Sequence, residues 1–213
     1  LVMETGWDEK SWFINPMCGS GTLAIEAAMM YAGIYPGAKK RYYAYMGLKT
    51  YRESDWQKRV RTFNPRVAGK LKKYIIASDH DKRAISAARY NATEAGVDHL
   101  IEFYHCDFAK TPVPEGPGIV ILNPEYGIRL GEEHILKGQY KAIGDFLKQQ
   151  CAGKKGYVFT GNMALSKSVG LRSSRRIPFM NGDIECRLLE FELYKGRGSS
   201  DLASSADGSE PAG

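Results

Sequence analysis

Four polar clusters, each placed after an apolar run, hold the residue types that could bind a ligand or do chemistry. The first is Asn15-Pro16-Met17-Cys18-Gly19-Ser20-Gly21-Thr22. Two glycines let the backbone turn tightly and approach a ligand, and the helical pattern behind them offers free N–H groups to an anion such as a carboxylate. Alone this signal is weak, since many strand-to-helix turns read the same way. It also lacks the third glycine of the dinucleotide fingerprint G-x-G-x-x-G. The second cluster is Ser78-Asp79-His80-Asp81. An acidic side chain at such a strand end accepts hydrogen bonds from ribose hydroxyls, or else caps the next helix. Asp81 suits the cap, which leaves Asp79 without a structural task. The third, Cys106-Asp107-Phe108, sets a carboxylate beside a ring, suited to the edge and face of adenine or, more plainly, to a loop Asp accepting backbone N–H groups. The fourth is Asn123-Pro124-Glu125-Tyr126-Gly127, whose Asn-Pro and Tyr-Gly steps form a turn on their own account.

The elements that must position these clusters can be read from hydrophobic periodicity. Trp12-Phe13-Ile14 predicts a strand, and Leu23, Ala24, Ala27, Ala28 and Tyr31 mark one side of a helix ending near Gly33. Tyr74–Ala77 predicts a buried strand, followed by a helix capped by Asp81, striped by Ile85, Ala88, Ala92 and Ala95, and closed by Gly96. Strands are expected at Ile101–His105, Gly118–Leu122 and Gly156–Thr160, with a long helix from about Glu132 to Gln150. Ile184–Tyr194 alternates as an antiparallel edge strand would. Strands alternating with helices mean an α/β, Rossmann-like, doubly wound and mostly parallel sheet, whose ligands bind at the carboxyl ends of the strands. Residues 1–195 are expected to form one domain, with an irregular or partly helical insertion at 36–73, and the Gly/Ser/Ala-rich stretch 196–213 a disordered tail.

Composition bounds the classes. With 213 residues, 43% hydrophobic and 25% charged, the chain suits one globular domain rather than a disordered or fibrous protein. No apolar run approaches the ~18–20 residues of a membrane span. The N-terminus lacks the pattern of a secretory signal. It does not begin with Met, which suggests a piece of a longer chain. Cys18, Cys106, Cys151 and Cys186 are far apart, with no C-x-x-C pair and no His at ligand spacing, so no metal site is expected and a reduced, cytoplasmic chain is. The net charge of +6 is concentrated: residues 36–73 hold twelve Lys and Arg against only Glu53 and Asp55. Tyr42, Tyr43, Tyr45, Tyr51, Trp56 and Phe63 lie within the same stretch. Cations for phosphates and rings for bases suit a nucleic-acid surface, with Lys39, Lys40, Arg41, Lys58, Arg59 and Arg61 as contacts. The plainer reading is a solvated face over a few packed rings.

Four strand ends in this chain order resemble the class I S-adenosylmethionine-dependent methyltransferases, in which Asn-Pro-Pro-Tyr after strand four marks those that methylate planar amino groups. The likeness extends to NPMCGSGTLAIEAA (15–28), the basic insertion with Ile34-Tyr35-Pro36-Gly37, SDHDKRAISAARYNATEAGV (78–97), NPEYGIRLGE (123–132), Ile143-Gly144-Asp145 and NGDIECRLLEFELYKG (181–196). Over roughly residues 12–197 the chain is similar to the catalytic domain of the ribosomal RNA large-subunit guanine-N2 methyltransferases, which carry an RNA-binding THUMP domain ahead of it. That resemblance implies S-adenosylmethionine as cofactor and 23S ribosomal RNA as partner, with a THUMP domain preceding residue 1 in a longer parent. It also implies roles. Cys18, Gly19, Ser20, Gly21 and Thr22 cradle the methionine part, Asp79 holds the ribose, and His80 lies against adenine. Asp107 accepts from the adenine amino group, with Phe108 alongside. Asn123 and the Pro124 carbonyl accept from the substrate amino group, and Tyr126 stacks on the flipped base.

Two positions depart from the family. Asn15 stands where Asp is usual, so a charge contact to the cofactor's amino group becomes a neutral hydrogen bond. Glu125 replaces the second Pro and puts a carboxylate beside the reaction centre, while the Pro124 carbonyl is kept. Three alternatives remain open on sequence: the same chemistry on adenine N6 or a glutamine side chain; an inactive module that binds cofactor or RNA; and a nicotinamide-dependent oxidoreductase, disfavoured by the missing glycine.

Overall fold

The computed structural model describes residues 1–35, 42–62, 72, 74–127 and 133–194. Seven strands are present: β1 Trp12–Pro16, β2 Ile75–Asp79, β3 Ile101–His105, β4 Gly118–Leu122, β5 Lys155–Thr160, β6 Arg175–Asn181 and β7 Ile184–Glu192. They form one sheet in the order β3-β2-β1-β4-β5-β7-β6. The first five run parallel, and β7 and β6 complete the sheet antiparallel. Among the described residues five α-helices accompany them: α1 Thr22–Ala32, α2 Glu53–Val60, α3 Lys82–Ala95, α4 Glu133–Gln150 and the short α5 Met163–Ser166.

The central strands read as unbroken apolar runs because both of their faces are covered. Phe13, Ile75, Ala77, Ile119 and Ile121 pack on the side of α1 and α3, which contribute Ala24, Ala28, Ile85 and Ala88. Ile14, Ile76, Val120 and Leu122 point the other way, onto Leu136, Tyr140, Ile143 and Leu147 of α4. Asp81 caps α3 as expected, accepting from the Arg83 N–H at 2.8 Å, and Gly96 closes it in the left-handed region at φ 78°.

One expectation is corrected. The Ile184 strand is interior, paired on one side with β5 and on the other with β6, so the antiparallel edge is β6. β6 reads RRIPFMN and is half-exposed, with charged and polar residues outside and Pro178 in its middle. Proline lacks the ladder donor, so in the middle of a strand it belongs at an edge or a bulge.

In the insertion, expected to be partly helical, the helix is α2. Its Trp56 packs against Tyr43, Tyr45 and Tyr35 at 5.5, 5.6 and 6.0 Å between ring centroids, and Tyr43 stacks on Tyr45 at 5.2 Å. Much of the aromatic content therefore forms a small cluster of its own around Trp56 of α2. Lys39, Lys40, Arg41 and Phe63, like the tail 196–213, lie outside the described residues. Among the described residues no helix is long and apolar enough to cross a membrane.

The contact of α4 with the turn Lys167–Val169 depends on one missing side chain. A Cβ at Gly144 would lie 1.8 Å from the Val169 backbone oxygen. Neither partner is a flexible side-chain tip, so Gly144→Ala is expected to cost about 3 kcal/mol, the upper end for overpacking. In a chain of this size that is a fall of about 6–12 °C in Tm, read by differential scanning calorimetry. An unchanged Tm would mean α4 can slide on the turn.

Candidate active site

The strand order reverses between β1 and β4, the place where an open α/β sheet leaves a crevice. Register sets Asn15 of β1 level with Ala77 and Pro16 level with Ser78, so the exits of β1 and β2 lie side by side. A cleft of about 570 Å³ opens at these exits, lined by the loop 17–20, by Thr22 and Leu23 of α1, and by Asn15, Asp79, His80, Asp81, Ala84, Asn123, Glu125 and Gln139. That volume is in the range of small-molecule sites. A larger hollow of about 750 Å³ lies against the N-terminal turn and the starts of β4 and β5. Its buried Glu190 is already held by Tyr157, Lys155 and Arg175, and the strand exits do not reach it.

The loop after β1 is built by backbone geometry. Met17 adopts φ 56°, Gly19 φ 55° and Gly21 φ 87°, all in the left-handed region. For Met17 this is strain, the kind a functional turn retains. Gly21 is doubly constrained, since a Cβ there would also meet the Ala88 Cβ at 2.9 Å. α1 starts at Gly21 without a side-chain cap, so its first N–H groups are offered to the cleft. Asn91 of α3 donates to the Ser20 carbonyl at 3.0 Å and pins the loop from outside. Burial and the Asp79 carboxylate push the Cys18 thiol up to about 12, so it stays protonated and is no nucleophile near neutral pH.

Asp79 does have a structural task. One carboxylate oxygen accepts from the Gly19 N–H and the other from the Asp81 N–H, both at 2.9 Å. Each oxygen keeps a further lone pair, so the carboxylate can tie the loop and still accept hydroxyls. His80 is exposed beside it, with Nδ1 3.4 Å from Asp79 Oδ1. Asn15 is 1% exposed and donates to the Ile121 carbonyl at 2.9 Å. Its Oδ1 and Gln139 Oε1 are buried side-chain atoms without a hydrogen-bond partner among the described residues. Sequence reasoning gave Gln139 no role, because a polar residue on an amphipathic helix reads as solvated face.

Beyond β4, Asn123 is exposed in the cleft, Pro124 is buried and Tyr126 is half-buried. Asn181 of β6 donates to the Tyr126 hydroxyl at 2.6 Å, and the ring meets Phe159 edge-on at 6.3 Å. A Cβ at Gly161 would come within 2.9 Å of the Tyr126 ring, so this glycine makes its seat. Neither Asn181 nor Gly161 is signalled locally in sequence. Burial is the main cause that holds the Tyr126 hydroxyl above its ordinary value.

Other expected residues stand apart from the cleft. Asp107 accepts from the Ala109 N–H at 2.9 Å and caps a short turn, and Phe108 meets Phe146 edge-on at 5.9 Å. The Cys106 N–H bonds the Asp79 carbonyl at 3.0 Å, which keeps this loop next to the Asp79 end. Lys58, Arg59 and Arg61 are exposed on or just after α2, Lys58 being 3.8 Å from Asp55.

These groups fit a ligand with a cationic amino end, a carboxylate and a ribose: unpartnered acceptors on the floor, free helix N–H groups in the turn and a carboxylate at the rim. Comparison with known proteins agrees. The family model for the RMKL-like methyltransferase domain matches residues 1–190. A Synechocystis protein named as a candidate RNA methyltransferase, slr0064, is 35% identical over 194 residues, 91% of this chain and 50% of its own length. The ribosomal RNA large subunit methyltransferase K/L of Syntrophotalea carbinolica is 35% identical over 207 residues, 92% of this chain and 29% of its own. The chain thus spans half or less of the length of these two relatives. Among solved structures, SMU.472, a candidate methyltransferase complexed with S-adenosylhomocysteine, matches with a TM-score of 0.79 at 22% identity, over 92% of this chain and 52% of that one. The fold is that of the class I methyltransferases, and from residue 1 to residue 190 the chain belongs to the family of RMKL-like methyltransferase domains.

Proposed function

We propose that this domain uses S-adenosylmethionine to methylate an exocyclic amino group of a nucleobase in RNA, guanine N2 of 23S ribosomal RNA being the specific target. The observation that carries this is the convergence of Asn15, the loop 17–20, Asp79 and Asn123 on one cleft. The cleft residues would hold the cofactor as follows: Asn15 Oδ1 the amino group, the Cys18–Thr22 loop the carboxylate, Asp79 the ribose, with Asp107 and Phe108 reached by adenine. Bound there, the cofactor supplies a methyl group already activated by its sulfonium.

The protein's own work is positioning. An exocyclic amine is a poor nucleophile because its lone pair is delocalised into the ring. Asn123 Oδ1 and the Pro124 carbonyl accept its two N–H bonds, which orients the nitrogen and stabilises the positive charge growing on it. Tyr126 stacks on the base and offsets part of an unstacking cost of a few kcal/mol. Its tether to Asn181 keeps the ring in place while the base arrives. In-line alignment supplies much of the remaining rate.

The test is mass spectrometry of nucleosides from ribosomal RNA incubated with the domain and isotopically labelled cofactor. Label in N2-methylguanosine is expected. Label confined to N6-methyladenosine would replace the substrate assignment, and no label in any nucleoside would sink it.

RNA affinity is expected to come largely from the basic insertion. Reversing Lys58, Arg59 and Arg61 to Glu should weaken RNA binding and lower its salt slope by roughly one unit per lost phosphate contact. Cofactor binding should hardly change, since all three residues lie away from the cleft. A full salt slope in the triple variant would make α2 a solvated face.

A further inference from the structure

The two departures from the family pattern open on the same cleft, and so do the two unpartnered acceptors. Asn15 and Glu125 line it from the exits of β1 and β4, and Gln139 lines it from α4. Asn15 directs its amide nitrogen to the Ile121 and Pro16 carbonyls, at 2.9 and 3.5 Å, which leaves Oδ1 for a ligand. Gln139 likewise holds Oε1 buried and unpaired. A buried carbonyl oxygen left without a donor is costly, and two of them in one cleft call for a ligand rich in N–H groups. Neither carries charge, so a cation held by this pair alone would lie in a partly dry cleft without a counter-charge, an unfavourable arrangement.

The cleft does contain carboxylates. Asp79 already receives the Gly19 and Asp81 N–H groups, and Asp81 receives the Arg83 N–H. Glu125 differs: among the described residues it makes no hydrogen bond or ion pair, and it lines the cleft from the loop after β4, the strand that pairs with β1. We propose that Glu125 supplies from the loop after β4 the negative charge that position 15 lacks, and that with Asn15 Oδ1 and Gln139 Oε1 it holds the cationic amino end of S-adenosylmethionine. The carboxylate has in effect moved from one wall of the cleft to the other. This assignment rests on the cofactor reading above.

The test compares two ligands that differ only in that amino group, S-adenosylhomocysteine and its desamino analogue, titrated calorimetrically into the full 213-residue chain. The wild type should prefer the amino form. Glu125→Gln, nearly isosteric at an exposed position, should reduce that preference about tenfold, the scale of one hydrogen bond to a charged group. Its affinity for the desamino analogue should be unchanged. Gln139→Leu should reduce the preference several-fold in the same selective way. A preference kept within twofold in Glu125→Gln, or an equal loss for both ligands, overturns the proposal. If neither ligand binds the wild type, the cofactor reading itself fails and the proposal falls with it. Binding of both ligands with no selective loss removes this proposal alone.

Discussion

Asn123→Ala is expected to bind S-adenosylhomocysteine and RNA much as the wild type does while turning over on the order of 10²–10³ times more slowly, a loss of about 3–4 kcal/mol. The side chain is exposed in the cleft and belongs to no core cluster, so its removal should leave the fold alone. In the proposed reaction it accepts from the nitrogen that becomes positive, and that interaction strengthens as the charge grows. An interaction stronger in the transition state than in the ground state falls on kcat. Tyr126→Ala should behave differently, because stacking is worth ~1–3 kcal/mol already on base capture. Tyr126→Phe separates ring from tether: it keeps the stacking surface and removes the bond from Asn181. Single-turnover rates at saturating RNA distinguish these cases. If the Asn123→Ala rate recovers at saturation, Asn123 is a binding residue and the assignment of the amine site is wrong.

Sequence made the left half of the sheet legible because burial on both faces writes a distinctive pattern there. Phe13-Ile14, Ile75-Ile76-Ala77 and Ile119-Val120-Ile121-Leu122 are short apolar runs, each broken by the polar residues that form the cleft. β6 and the place of β7 were not legible. An edge strand carrying Arg175, Arg176 and Pro178 offers only Ile177 and Phe179 as apolar alternation, too short a pattern to announce it, and β7 sits between two neighbours only because β6 exists. Within the site, local chemistry was readable and long-range support was not. Asn181 lies 55 residues from the Tyr126 it tethers, and Gly161 matters only because that ring rests against it. Gln139 reads as helix surface until β1 and α4 are brought to the same cleft. Asp79 shows the converse: sequence suggested the ribose-binding role proposed for it and gave no sign of its role in holding the loop.

That double role gives the second large effect. A saturating nucleoside ligand should raise the wild-type Tm by mass action: at 100 times Kd the gain is about 2.7 kcal/mol, roughly 5–10 °C in a chain of this size. Asp79→Ala should abolish most of that shift. It removes the acceptor for the ribose and also the anchor of the Gly19 and Asp81 N–H groups, so the ligand-free Tm should fall as well. Loss of affinity in this variant would therefore not by itself prove contact with a ribose. Asp79→Asn, combined with S-adenosylhomocysteine and its 2′-deoxy analogue, isolates that contact. The amide keeps one oxygen for one backbone N–H while losing the charge and half the acceptor capacity. If the carboxylate accepts the ribose hydroxyls, the wild type should prefer the ribo form and Asp79→Asn should lose that preference about tenfold, at hydrogen-bond scale for a charged acceptor. A carboxylate that served only to hold the loop would weaken both ligands equally and leave the preference intact. That outcome would place the ribose against another strand end, with the exit of β3 at Asp107 the next to examine, since the Cys106 N–H already ties it to the backbone of Asp79.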